Sequence, residues 1–99
     1  MTRPAVYILH ITDTDGTVTH YVGLIETRDI SIRLNEHRTG KGSILTAAAH
    51  RRGAHLELGR IIHGADYRLE TALINTPNIE RFCLICSAMN TDREPNHDV

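Results

Sequence analysis

The first quarter of the chain carries the pattern of a β-hairpin. Residues 5–11 are almost continuously apolar and β-branched, which predicts a buried strand. The pair Asp15-Gly16 is typical of a tight turn. Residues 17–25 then alternate polar and apolar positions, as a partner strand would. We therefore expect the fold to begin with an antiparallel pair of strands.

Helical spacing replaces the two-residue alternation after the hairpin. Thr27 or Asp29 can cap a helix that ends near Arg38, with Leu34 and His37 on one face. The remaining predicted elements follow in order: a second helix capped by Ser43 and ended by Gly53, a third strand over 55–62, a helix from about Ala65 to Asn75, and a short apolar stretch at 79–86 that is strand or coil.

This order of elements, β-β-α-α-β-α, predicts an α/β (α+β) fold in which helices flank a small, three-stranded, mostly antiparallel sheet. A chain of 99 residues with 40% hydrophobic residues has room for one modest core. We expect residues 1–87 to form a single domain and residues 88–99 to form a disordered C-terminal tail.

Charge and hydropathy limit the location and the partners. No apolar run approaches the roughly 20 residues that span a bilayer, and the start of the chain does not resemble a signal peptide, so we expect a cytoplasmic protein without a membrane partner. The net charge is −1, but residues 28–60 contain seven basic and three acidic residues, a local balance of +4. This segment predicts weak, salt-sensitive binding to a phosphate backbone.

Five side chains provide the chemistry for hydrolysing a phosphodiester. Tyr7 and Tyr21 lie fourteen residues apart on the two predicted strands. Arg33 can form two hydrogen bonds to phosphate oxygens, and His37 follows it one helical turn later. Glu70 is the clearest single protein ligand for a Mg²⁺ or Mn²⁺ ion, which would fill its other positions with water and substrate oxygens.

These residues resemble the motifs of the GIY-YIG nuclease superfamily, in particular its small stand-alone members. Ala5-Val6-Tyr7 resembles the first motif without its glycine, and Tyr21-Val22-Gly23 resembles the second. Arg33-Leu34-Asn35-Glu36-His37 and the later Glu70 follow in the family's order. The resemblance covers roughly residues 5–86.

The resemblance implies a metal-dependent DNA endonuclease. Tyr7 or Tyr21 would take a proton from the attacking water, Arg33 would stabilise the transition state, and Glu70 would hold the metal, with His37 as a further catalytic residue. Tyr7 is the favoured base and Tyr21 the positioning group, with the pKa of the base lowered by Arg33, the metal and His37. The candidate substrate-binding residues are Gly23, Arg28, Lys41, Ser43 and Asn78. Which DNA sequence or structure such an enzyme would prefer is left open.

The alternative is a catalytically weak module of the same fold that binds nucleic acid or a larger assembly. The low net charge favours it, and so does Leu73-Ile74, which stands where the family often has a lysine after its glutamate. The nuclease hypothesis also leads us to expect a homodimer, because one active site cuts one strand of DNA.

The two cysteines, Cys83 and Cys86, are spaced as a metal-binding or buried-thiol pair. Two thiols supply half of a zinc site, and completing it would require His97, His63 or another subunit. Buried thiols are the favoured interpretation.

Overall fold

The computed structural model describes residues 3–93 and contains a three-stranded sheet with helices on both faces. The strands are β1 (Pro4–Thr12), β2 (Val18–Glu26) and β3 (His55–His63), and the helices are α1 (Ile30–Arg38), α2 (Ile44–Arg51), α3 (Tyr67–Ile74) and α4 (Leu84–Arg93). Two 3₁₀ turns, Thr27–Asp29 and Ile79–Phe82, precede α1 and α4. The strand order is β2-β1-β3 and both pairings are antiparallel, which confirms the expected fold class.

The central strand β1 is buried on both faces, and this explains its unbroken apolar sequence. Tyr7, Leu9 and Ile11 face α1 and α2, where they form a core with Ala49 and Leu56. The alternate residues face α3, where Val6 and Ile8 form a second core with Leu73. The two cores lie back to back across one strand.

The hairpin connecting β1 and β2 sets which residues face each other. The Asp13 N–H donates to the Thr17 carbonyl at 2.8 Å and the Gly16 N–H donates to the Asp13 carbonyl at 2.9 Å. The resulting register places Tyr7 opposite Gly23 and His10 opposite His20. On the other side of β1, the pairing with β3 is shifted between Ile8 and Leu9, which leaves a bulge at Gly59.

The helix boundaries agree with the sequence patterns except at the start of α1. The Ser43 hydroxyl accepts a hydrogen bond from the Thr46 N–H at 3.2 Å and caps α2 as predicted. Gly53 ends that helix with a φ of 82°, a value that suits glycine. Of the two predicted caps of α1, Asp29 occupies the N-cap position, but its side chain makes no capping hydrogen bond, and Thr27 lies in the preceding 3₁₀ turn.

The C-terminal part of the chain also differs from the prediction. The apolar stretch at 79–86, predicted as strand or coil, is a 3₁₀ turn followed by the start of α4. Residues 88–93, predicted as disordered, continue α4, and residues 94–99 lie outside the described residues. The segment Leu84–Met89 contains leucine, alanine and methionine, which favour a helix, and the side chain of Cys83 before it is fully buried against the sheet.

Within residues 3–93, none of the helices combines the length and the apolar character that crossing a membrane requires.

The contact between Tyr7 and Gly23 predicts a specific packing defect. A Cβ atom at Gly23 would lie 2.3 Å from both Cζ and Oη of Tyr7. We expect Gly23→Ala to lower the free energy of unfolding by about 1–3 kcal/mol, because the ring has to move within a packed core. Urea denaturation measures the change. In a Tyr7→Leu background the same substitution should cost much less, and an equal cost in both backgrounds would contradict the proposed clash.

Candidate functional site

Three buried polar side chains form a hydrogen-bonded row between the sheet and the first two helices. The Tyr7 hydroxyl lies 2.8 Å from Nε2 of His37, and Nδ1 of His37 lies 2.7 Å from Oγ1 of Thr46. Tyr7 is 1% exposed, whereas His37 and Thr46 are fully buried. Each of these polar groups therefore has a protein partner in place of water.

We assign the proton of the neutral His37 ring to Nδ1, because this tautomer gives every group in the row a partner. The Nδ1–H then donates to the Thr46 oxygen, whose own hydroxyl can donate to the Ser43 carbonyl at 3.3 Å. Nε2 then carries no proton and accepts from the Tyr7 hydroxyl. Burial lowers the pKa of His37, and the charge of Arg33 lowers it further, so the imidazole is neutral at pH 7.

Tyr21 and two glycines complete the packing of this row. The Tyr21 ring packs at a tilt against the rings of Tyr7 and His37, with centroid distances of 6.3 Å and 5.2 Å respectively. A Cβ atom at Gly42 would lie 2.2 Å from Nδ1 of His37. Gly23 and Gly42 thus leave the space that the Tyr7 and His37 rings occupy.

The pKa of Tyr7 moves in the direction opposite to the sequence-based expectation. Burial raises it to about 12, the neighbouring Tyr21 adds to the increase, and the interaction with Arg33 only partly opposes it. His37 does not lower this pKa, because its ring is neutral. Tyr7 is therefore a protonated hydrogen-bond donor at neutral pH.

Arg33 and Glu70 approach the same phenol from different helices. Arg33 projects from α1, is half-buried and forms an ion pair with Glu36, with 3.0 Å between Nε and Oε1. Glu70 projects from α3, which packs on the opposite core through Leu69 and Leu73. Both charges nevertheless act on the Tyr7 hydroxyl, the guanidinium lowering its pKa and the carboxylate raising it. Tyr7, Tyr21, Arg33 and His37 therefore lie close together, whereas Glu70 is linked to them by the electrostatic effect of its carboxylate on the pKa of Tyr7.

The residues predicted to bind substrate are more dispersed. Gly23 is buried, and what approaches its backbone is the Tyr7 ring. The Ser43 hydroxyl is occupied in capping α2. Lys41 is exposed between α1 and α2, and Arg28 is exposed beside Glu26, 3.8 Å away. Asn78 is exposed at the start of the second 3₁₀ turn.

A groove of about 290 Å³ crosses the outer edge of β2 next to Tyr21. Consecutive residues of the strand line it, and the other lining residues come from α2, from α3 and from the segment after α3: Leu45, Leu73, Ile74, Thr76 and Ile79. Because β1 pairs with the inner edge of β2, this groove lies along the unpaired side of the sheet. It gives an approach to Tyr21 from solvent.

A second group of polar side chains lies on the other face of the sheet. This His-Cys cluster consists of His10 on β1, His20 on β2, and Cys83 and Cys86 at the start of α4, and it is a set of side chains able to bind a metal ion. Both cysteines are free. Burial lowers the pKa of both histidines, and burial together with Cys83 raises the pKa of Cys86 to about 11.

The cysteines of this cluster were expected from their spacing in the sequence, but its histidines were not. Of the two histidines expected as further ligands, His63 is exposed, lies 3.3 Å from the Thr27 hydroxyl and is not part of the cluster, and His97 lies outside the described residues. The signal was present in the hairpin, because a turn centred on residue 15 pairs position 10 with position 20.

Comparisons with protein-family models, with curated proteins and with solved structures give no match to this chain. The geometry of the site therefore carries the functional argument.

The raised pKa of Tyr7 predicts how the three tyrosines ionise. Phenolate absorbance during an alkaline titration should include a component near pH 12, about two units above that of a free tyrosine. Tyr7→Phe should remove this component, whereas Tyr67→Phe, at an exposed position, should leave it in place. Circular dichroism recorded in parallel identifies the pH range in which the protein is folded. Ionisation of Tyr7 near pH 10 in the folded protein would contradict the assignment.

Proposed function

We propose that this protein is a metal-dependent DNA endonuclease that hydrolyses phosphodiester bonds. The observation that carries the proposal is the hydrogen bond from Tyr7 to a neutral His37, formed where the charges of Arg33 and Glu70 both reach the phenol. A base, a cation and a carboxylate that act on one reacting centre are the groups that phosphoryl transfer to water requires.

The Tyr7–His37 pair can activate water without a free phenolate. As the phenol oxygen takes a proton from water, the hydroxyl proton moves to Nε2 of His37, 2.8 Å away. The water becomes a hydroxide that attacks phosphorus, and His37 becomes an imidazolium whose Nδ1–H remains bonded to Thr46. A phenol with a raised pKa is a suitable relay in this scheme, because it is never required to ionise alone.

Arg33 and Tyr21 would act on the phosphate. The guanidinium can donate to the oxygens that gain negative charge as the hydroxide attacks. Its ion pair with Glu36 restricts the side chain before substrate arrives. Tyr21 lies beside Tyr7 on the neighbouring strand and next to the groove, which suits a role in positioning the substrate.

Glu70 fits the role of a single protein carboxylate that holds a Mg²⁺ or Mn²⁺ ion. Glu70 is half-buried, and within residues 3–93 it forms no ion pair with a basic side chain. Mg²⁺ is commonly bound by one or two carboxylates together with waters and substrate phosphates. When bound there, the ion would supply positive charge to the scissile phosphate and its leaving oxygen.

Basic residues of the first two helices and their connections could contact the DNA backbone. Arg28, Lys41 and Arg51 are exposed and lie in or next to α1 and α2, the helices that pack on the core of Tyr7. A few such contacts give weak affinity that falls as salt rises. Cleavage of both strands would further require two active sites, so we propose a homodimer on the substrate.

Removing the charged groups should abolish nicking of supercoiled plasmid in Mg²⁺ or Mn²⁺. We expect Arg33→Ala and Glu70→Gln each to lower the rate by about 100-fold or more, because each removes a charge that acts on the transition state. Glu80→Gln and Arg81→Ala are matched controls on the second 3₁₀ turn and should cut at the wild-type rate. Equal rates in all five proteins would exclude the assignment.

The Tyr7–His37 relay makes a separate prediction about additivity. Tyr7→Phe and His37→Gln should each reduce nicking by roughly 10²–10⁴-fold, and the double variant should be no slower than the slower single variant, because the two side chains act as one unit. Nicking rates of the three variants measure this directly. Losses that multiply in the double variant would show that the residues act independently.

The second candidate function is a catalytically weak module that binds nucleic acid or a larger assembly. The observation that favours it is the 1% exposure of Tyr7, because a general base has to contact the water it activates. Salt-dependent retention on DNA with no cleavage in any divalent metal would select this function. Absence of both retention and cleavage would exclude the nuclease and the nucleic-acid-binding module, and would leave the module that binds a larger assembly.

A further inference from the structure

We propose that His10, His20, Cys83 and Cys86 bind one Zn²⁺ ion as a structural site that fastens α4 to the sheet. The ligand-type atoms of all four side chains lie within 4.8 Å of one another. They come from three separate elements of the chain, so their convergence is produced by the fold. The proposal is independent of the proposed nuclease activity, because the cluster lies on the sheet face opposite the tyrosines.

The distances within the cluster match those of a tetrahedral zinc site. Nδ1 of His10 lies 3.4 Å from Sγ of both cysteines, and Nε2 of His20 lies 3.3 Å from Sγ of Cys86. Tetrahedral zinc with Zn–S of about 2.3 Å and Zn–N of about 2.0–2.1 Å separates sulfur from nitrogen by about 3.5 Å. The side chains would therefore need only small shifts to surround the ion.

The chemistry of the four ligands favours zinc over magnesium. Thiolate and imidazole ligands select zinc and other soft or borderline metals, whereas Mg²⁺ prefers oxygen. Two thiolates neutralise the charge of Zn²⁺, which suits a site in which His10 and Cys83 are almost fully buried. Four protein ligands also leave no position for water or substrate, and this is the arrangement of structural zinc sites.

The backbone of β3 is adapted to hold the cysteines in place. A Cβ atom at Gly59 would lie 2.7 Å from Sγ of Cys83, so the bulge provides the space for the thiol. Nε of Arg60 donates to the Phe82 carbonyl at 2.6 Å and anchors the residue just before Cys83. His10 and His20 are fixed by the strand register. The ligand set is thus organised by contacts that do not involve the metal.

Metal content and cobalt spectroscopy test the site in the full-length protein under reducing conditions. We expect one zinc ion per chain after dialysis, and Co²⁺ should give the visible and thiolate charge-transfer bands of a tetrahedral S₂N₂ complex. His20→Gln and Cys86→Ser should each weaken binding by more than the 10–100-fold typical of losing an outer-shell partner. His55→Gln, which changes an exposed histidine of β3, should bind as the wild type does.

Thermal unfolding in buffer without Mg²⁺ tests the structural role. A strong chelator should lower the melting temperature of the wild type and of His55→Gln, and it should have no effect on His20→Gln. If Cys86→Ser does not fold, His20→Gln, which changes a half-buried residue of the edge strand, still gives the comparison. Folded wild-type protein that binds neither Zn²⁺ nor Co²⁺, or that binds them equally well in both ligand variants, would overturn the proposal. So would a melting temperature of the zinc-loaded protein that the chelator leaves unchanged.

Discussion

Burial of β1 on both faces is the constraint on which the rest of the structure depends. A central strand presents successive side chains to opposite sides, so Tyr7 faces α1 and α2, whereas His10 faces α4. Each polar side chain on this strand then needs partners inside a core, since water cannot reach it. Tyr7 finds His37, and His10 finds the cysteines. The Tyr7–His37–Thr46 row and the His-Cys cluster, both within the described residues, therefore each begin with a polar side chain on the buried strand and are completed by side chains from helices on that side of the sheet.

The Tyr7–His37–Thr46 row shows how a small core can hold polar groups without a large penalty. Among the described residues, no buried side-chain nitrogen or oxygen lacks a hydrogen-bond partner. Complete pairing of this kind fixes the rotamers and the tautomer of the imidazole, whereas an apolar core of the same size would leave the rings freer to shift. The row also links β1, α1 and α2. His37, in the middle of the row, packs directly against Gly42 in the loop between the two helices.

The sequence predicted the sheet well because the strands and the hairpin depend on short-range signals. Alternation and turn residues located β1 and β2, helical spacing located His37, and the order of Tyr7, Tyr21, Arg33 and Glu70 gave the resemblance. The state of Tyr7 could not be predicted, because its pKa depends on burial that only the packed core determines. Helix α4 was missed since its apolar residues also suited a strand, and the choice between the two is decided by contacts with β3. His10 and His20 were overlooked because each lies within a strand pattern and is separated by more than sixty residues from the cysteines.

The bulge at Gly59 has a consequence for the organisation of β3. Before it, Leu56 and Leu58 pack into the core of Tyr7, and after it the even-numbered Ile62 packs into the core of Val6. Because the bulge contains one additional residue, the even-numbered side chains of β3 point to one face of the sheet before Gly59 and to the opposite face after it. The two halves of β3 thus contribute apolar side chains to different cores, and the change from one core to the other occurs at a single glycine.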